Sequence, residues 1–269
     1  MRVGTMLYAP RNSLIHQSLD SRLGAEPTNG DGFGIGCYIG DYDVPIVYRS
    51  VEPAWNDQNL KELTRYAESR CFLSHVRAAI GSPVQQTNCH PFRHGRWLFM
   101  HNGYVDAWPL VHRELLLKVD PAHFNDVLGG TDSELLFGLA LTNGLEDDPV
   151  RALERMVEEV EAACRSVGSR DGIQMTMAVS DGLRLWAARY ATRGQPRSLY
   201  RSGEVDAVRH MYPDLETLRE LPDVARLIVS EPLNDLPGMF EEIPPDTVVV
   251  ATHDDIFEMP FGPRARIAM

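Results

Sequence analysis

CFLSHVRAAIGSPVQQTNCHPFRHGRWLFMHNG, residues 71–103, holds two apolar runs, CFL and WLFM, of the kind that fill buried strands. Each run opens directly into polar side chains: Ser74, His75 and Arg77 after the first, His101, Asn102 and Gly103 after the second. Polar groups at strand ends, beside a Gly and a Pro, are where a rigid sheet presents binding and catalytic atoms. Folding alone does not call for that arrangement twice in so short a stretch.

Working outward, the 269 residues are 43% hydrophobic and 24% charged, a balance that suits a soluble globular protein able to bury a substantial core. The formal net charge of −12 comes without a basic patch, which argues against a nucleic-acid partner. The densest acidic runs, 146–148, 158–161 and 241–242, read as solvated faces. Cys37, Cys71, Cys89 and Cys164 form no CxxC pair, so neither a zinc knuckle nor a disulfide framework is expected. With no signal peptide and no long apolar run, the expected location is the cytoplasm, with no membrane partner.

Residues 1–30 read as loop. FGIGCYIG (33–40) reads as a strand crowded with glycines where backbone approaches something closely, and PIVYRSV (45–51) alternates as a second strand. A weak helical pattern covers 56–68. Asp132-Ser133-Glu134 opens an apolar helix. A second helix, the clearest in the chain, starts behind Asp148 with Pro149 in its first turn and ends near Gly168. IQMTMAVS, a DG turn and LRLWAARYA read as a β-hairpin, followed by strands in RSLYRS, RLIVSE and the closing VVVATHDDIFEMPF. Strands, two helices, then strands again indicate an α+β, layered architecture rather than a parallel βαβ series.

Each candidate site residue has a structural and a chemical reading. Asn102-Gly103 suits a type I′ turn, yet an Asn amide and an unhindered Gly N–H can also hold an oxyanion together. Arg77 serves either a structural ion pair or bidentate carboxylate binding. Thr131 or Asp132 would cap the next helix with help from Glu134, whereas a free Asp132 carboxylate would accept from a substrate ammonium. His90, ahead of Pro91, is expected in a structural hydrogen-bonding role. Cys71 and Cys89 read as small buried hydrophobes. His75, His90 and His101 lack a metal-ligand spacing and an acidic companion, so no metal and no cofactor is expected.

Taken in order, HxR (75–77), NxHPF (88–92), HNG (101–103) and TDSE (131–134) resemble the class II, N-terminal-nucleophile type glutamine amidotransferases. TNGDGFGIG (28–36) is similar to that family's upstream segment, and VSEPL (229–233) with EEIPPDTVVV (241–250) to its closing strands. The resemblance covers essentially the whole chain and is nearest the small stand-alone bacterial members, some of which trim a γ-glutamyl group. It implies a single type-2 glutamine amidotransferase domain over 1–269, folded as a four-layer αββα sandwich of the Ntn-hydrolase kind. It also implies hydrolysis of the side-chain amide of glutamine or a γ-glutamyl compound by an N-terminal Cys, whose own α-amino group is the base. Residue by residue, Arg77 would bind the substrate carboxylate and Asp132 its ammonium, with His101 beside them. Asn102 and the N–H of Gly103 would form the oxyanion hole. The partners implied are glutamine or a γ-glutamyl small molecule and, where ammonia is delivered, a separate synthase subunit.

The chain departs from the family at its start. Relatives begin Met-Cys and run into a buried strand, whereas this sequence begins Met1-Arg2-Val3-Gly4. The expectation is that the first N-terminal strand and its nucleophile lie upstream of Met1, and that residues 1–269 alone lack glutaminase activity. The alternative is a non-catalytic protein that binds glutamine or γ-glutamyl metabolites, and a weaker one is a structural subunit of a larger synthase. Ile80 stands where relatives carry a hydroxyl residue, and Cys37 replaces a usual aromatic.

Overall fold

The computed structural model describes residues 1–212, 214, 216–219 and 221–263. Strands are β1 (Phe33–Tyr38), β2 (Ile46–Ser50), β3 (Cys71–Val76), β4 (Phe92–His94), β5 (Trp97–Val105), β6 (Ile173–Ser180), β7 (Leu185–Ala191), β8 (Tyr200–Ser202), β9 (Ile228–Val229), β10 (Phe240–Glu242), β11 (Thr247–Ala251) and β12 (Ile256–Pro260). Helices are α1 (Val3–Tyr8), α2 (Leu14–Leu19), α3 (Gln58–Tyr66), α4 (Trp108–Leu116), α5 (Pro121–Phe124), α6 (Asp132–Thr142), α7 (Pro149–Ser166), α8 (Val205–Met211) and α9 (Glu216–Arg219).

One sheet has the order β2-β1-β3 and a second the order β12-β11-β7-β6-β5-β4; every pairing in both is antiparallel. A small third sheet, β10-β8-β9, joins chain segments from the C-terminal part.

The layer order follows from strand alternation. On the large sheet, Phe99, Val105, Met175, Val179 and Trp186 pack with Val111 of α4, the apolar α6 and the inner stripe of α7. The opposite face sends Leu98, Ala178, Ala187 and Val249 against Tyr38 and Leu73 of the small sheet. The small sheet's outer face (Phe33, Ile35, Cys37) lies under Val3, Leu7 and Leu60 of α1 and α3. Helix, sheet, sheet, helix is the αββα order that the family resemblance implied.

Glycines set the spacing of the two sheets. A Cβ on Gly34 would overlap the His90 carbonyl oxygen, and one on Gly36 would stand 2.7 Å from Leu98 Cδ1. Both lie on the inter-sheet face of β1, so the glycine-rich strand is a surface of close approach, as its sequence suggested.

Two readings change. Residues 1–30 contain α1 and α2, with Val3, Met6 and Leu7 buried at helical spacing and Ser13 accepting from His16 N as an N-cap. The Asp181-Gly182 turn is a four-residue loop: Asp181 Oδ1 accepts from the N–H groups of Leu183 and Arg184, at 2.9 and 2.7 Å. No helix among the described residues is long and apolar enough to cross a membrane.

Candidate active site

β3 pairs with β1 on one side only, and all six of its residues line a cavity of about 790 Å³. Ligand sites typically occupy roughly 300–1,000 Å³. Arg77, His101, Asn102, Gly103 and Asp132 all line this cavity, so every site residue read from the sequence is brought to one place.

The H-x-R spacing puts His75 and Arg77 on the same side of the extended chain as Leu73, facing the large sheet. Arg77 is buried, at 4% exposure, and makes no ion pair among the described residues, so the structural-ion-pair reading does not hold. Its guanidinium donates instead to Asp31 O (3.3 Å), Ser82 Oγ (2.8 Å) and Pro83 O (3.1 Å). Three of five N–H donors are thereby used, and the geometry leaves two for a ligand. The Asp31-Gly32 segment clasps the same residue through its backbone: Asp31 N donates to Arg77 O and Arg77 N to Gly32 O, both at 2.9 Å.

The HNG motif is not a turn. It lies inside β5, with His101, Asn102 and Gly103 opposite Met177, Thr176 and Met175 of β6. Alternation therefore sends neighbours to opposite faces. His101 points to the helix layer, where its Nδ1 is 2.9 Å from Ser133 Oγ of α6. Asn102 points between the sheets, on the face of Leu98 and Met100, and its side-chain amide makes no hydrogen bond among the described residues. At Gly103 a Cβ would overlap the Gln174 carbonyl and stand 2.6 Å from His101 Nε2, so only glycine fits.

Asp132 opens α6, but Thr131 is the N-cap, accepting from Glu134 N at 3.2 Å. Glu134 reaches back to the N–H of Gly129, ahead of the helix. Asp132 Oδ2 accepts from Val105 N (2.9 Å), and Oδ1 accepts from Ser133 N (2.7 Å) and Ser133 Oγ (3.2 Å). His101, Ser133 and Asp132 thus form one hydrogen-bonded chain. Burial lowers the His101 pKa below its ordinary value, against the opposing pull of Asp132.

His90 departs from expectation. Neither ring nitrogen has a hydrogen-bond partner, and the ring packs instead at 4.3 Å from His75 and 4.6 Å from Phe92. Burial pushes His75 down to about 4, with help from His101 and Arg77, and pushes His90 well below its ordinary value. Both rings are therefore neutral at physiological pH, and they give the cavity a polar but uncharged wall.

All four thiols are shifted away from reactivity, in each case first by burial. Cys37 is pushed up to about 12, Cys164 to about 11, and Cys71 and Cys89 are also raised. A thiolate nucleophile needs the opposite shift. Cys89 is buried, as its reading expected, and its Sγ donates to Ser50 O at 3.3 Å, whereas Cys71 is half-buried at the cavity wall with its Sγ 3.4 Å from Ser180 Oγ. Cys37 lies under the helices on the far side of β1, away from the cavity, whereas Ile80 is exposed at the cavity wall.

Sequence reading passed over Ser133, which lay inside the quoted TDSE motif, and Arg197, which carried no motif at all. Arg197 lines the cavity half-buried with an unpartnered Nε, and burial lowers its pKa. Glu231, in VSEPL, is buried and accepts from Ser21 Oγ and from the N–H groups of Arg22, Leu23 and Gly24, at 3.0, 3.0 and 3.1 Å. That carboxylate folds the 21–24 loop into the cavity wall, so the motif's role is to shape the site.

Comparison with known proteins agrees with this fold. A probable glutamine amidotransferase of Saccharomyces cerevisiae is 29% identical over 97% of this chain and 81% of its own length. A γ-glutamyl-hercynylcysteine sulfoxide hydrolase of Mycobacterium tuberculosis is 38% identical over 38% of this chain and 48% of its own. Among solved structures, a protein of Silicibacter pomeroyi described as a glutamine aminotransferase class-II domain protein superposes with a TM-score of 0.68 at 30% identity, covering 87% of this chain and 92% of that one. The glutamine PRPP amidotransferase of Bacillus subtilis shares the fold, with a TM-score of 0.60 at 14% identity over 93% of this chain and 45% of that one. The mixed α/β architecture with antiparallel sheets matches these Ntn-hydrolase-like neighbours. The family model for class-II glutamine amidotransferases matches residues 10–259, and the chain belongs to that family.

Proposed function

We propose that residues 1–269 form a single glutamine amidotransferase domain that binds a γ-glutamyl compound or glutamine and, completed by an N-terminal cysteine, hydrolyses its side-chain amide. The observation that carries this reading is that the Arg77 guanidinium, the Asp132 carboxylate and the unengaged Asn102 amide all line a single cavity. A glutamyl end is a zwitterion and needs one cation and one anion. Arg77 takes its carboxylate with the two N–H donors it has left, and Asp132 takes its ammonium. His101, through Ser133, holds the Asp132 carboxylate in place. The mycobacterial relative, by name a hydrolase of a γ-glutamyl compound, favours that substrate class.

The attacking thiol in this proposal is an N-terminal cysteine that is not among the 269 residues. The four cysteines present are all driven toward the neutral thiol, and the free edge of β3 offers main-chain hydrogen bonds to an added strand beside the oxyanion groups. The sulfur attacks the amide carbon while the cysteine's own α-amino group takes its proton. The oxygen becomes an oxyanion held by the Asn102 amide and Gly103 N–H. Collapse expels ammonia or an amine, and water then cleaves the thioester to release glutamate. Where a synthase subunit is present, the ammonia is delivered to it; hydrolysis of a γ-glutamyl amide needs no such partner.

The test compares the 269-residue chain with one extended by a strand-length segment that begins with Cys. Glutamine and a γ-glutamyl amide are supplied to each, and binding is followed by calorimetry and glutamate release by a coupled assay. Binding in the presence of turnover only in the extended chain is expected. Glutamate release by the 269 residues would reject an upstream nucleophile. Binding without turnover in both chains would assign a ligand-binding protein instead.

A further inference from the structure

On a different part of the molecule, three side chains converge that the glutamine site does not use. His94 ends β4, His123 lies in the single turn of α5, and Asp126 follows three residues later. One nitrogen of each ring and one carboxylate oxygen lie within 4.8 Å of one another, and no other such group of three occurs among the described residues. None of the three lines the large cavity.

A hydrogen bond between His94 Nδ1 and Asp126 Oδ2, at 2.7 Å, accounts for two members of the cluster. It does not account for the third. The His123 ring stands edge-on to His94 at 5.0 Å, and its Nδ1 is buried without a hydrogen-bond partner. An orphaned buried polar atom costs about 1–3 kcal/mol, and a cation is one group that would satisfy it.

Two imidazoles and one carboxylate suit Zn²⁺ or a neighbouring transition ion rather than Mg²⁺ or Ca²⁺, which favour all-oxygen shells. Bonds of about 2.0–2.2 Å would require the donor atoms to draw in to about 3.3 Å apart. The side chains have that freedom, since Asp126 is 44% and His94 28% exposed. The same exposure leaves the remaining coordination position to water.

We propose that His94, His123 and Asp126 form a divalent transition-metal site that clips the segment after α5 to the β4–β5 hairpin. The clipped segment is the one that leads into Asp132. Its Gly130 N–H already donates to Asn88 Oδ1 at 3.0 Å, and its Gly129 N–H to Glu134. A metal would hold the upstream end of this segment as those bonds hold the downstream end.

The experiment uses the full 269-residue protein freed of metal by a chelator and then titrated with Co²⁺ and with Zn²⁺. One Co²⁺ per chain, with the intense visible absorption of a four- or five-coordinate site, is expected, together with a Zn²⁺-dependent rise in Tm. Both should be lost in His123→Ala and in Asp126→Ala and retained in His253→Ala, which removes an exposed histidine elsewhere. Asp126 is exposed, so its variant reports even if His123→Ala fails to fold. Absence of the cobalt spectrum in the unaltered protein would overturn the proposal, as would equal binding in Asp126→Ala.

Discussion

Gly103 shows how much a single hydrogen in place of a methyl group decides. The residue sits in the middle of β5, against the Gln174 carbonyl on one side and 2.6 Å (measured from an added Cβ) from His101 Nε2 on the other. Overpacking there cannot be relieved by a side-chain rotation, because one of the two obstacles is backbone. Gly103→Ala should therefore destabilise the fold by about 3 kcal/mol. Urea denaturation measures this directly, and a loss below about 1 kcal/mol would show that β5 and β6 can part without cost. Asn-Gly was legible as important, but its two meanings in sequence, turn or oxyanion cradle, differ only in what lies across the sheet. The pairing of Asn102 with Thr176 excludes the turn.

At the scale of elements, β1 explains why two sheets can pack so closely. Its outer face is Phe33, Ile35 and Cys37 and its inner face is glycine at two of three positions, so the sequence period of two encodes both a core and a gap. Gly34→Ala should force the His90 carbonyl and β1 apart and lower Tm by about 5 °C. Thermal unfolding followed by circular dichroism tests this, and an unchanged Tm would mean the sheets are not in contact there. The long apolar strands and the 18-residue α7 were visible in sequence because each repeats its period several times. The short helices α1, α2 and α5 were not, since one or two turns give too few repeats to stand out from loop.

At the scale of the whole molecule, the inter-sheet space gathers His75, His90, Arg77 and Arg49 with almost no compensating negative charge near the two rings. Burial is the first cause of both lowered histidine pKa values, and the neighbouring His101, Arg77 and, for His90, Arg49 add to it. The unfolded chain binds protons near the ordinary histidine pKa of about 6.5, whereas folded His75 does so only near 4. Between those values the unfolded state holds more protons, so stability falls as pH falls through this window. At about 1.4 kcal/mol per pKa unit, His75 alone is worth up to about 3 kcal/mol at the acid end. Denaturant midpoints measured from pH 7 to pH 4 should drop, and His75→Gln should flatten part of the slope. A slope identical in that variant would remove His75 as a cause.

Local pattern alone determined the alternating strands, the glycine face of β1, the capped start of α6 and the residue types a zwitterionic ligand requires. These depend on neighbours within a few positions. Tertiary structure decided the rest. It made Thr131 rather than Asp132 the cap, put His101 and Asn102 on opposite faces of one strand, and left His90 without a hydrogen-bond partner. It also brought Ser133, Glu231 and Arg197 to the cavity wall from distant parts of the chain. Those outcomes depend on what stands across a sheet or beneath a helix, and spacing along the chain carries no record of that.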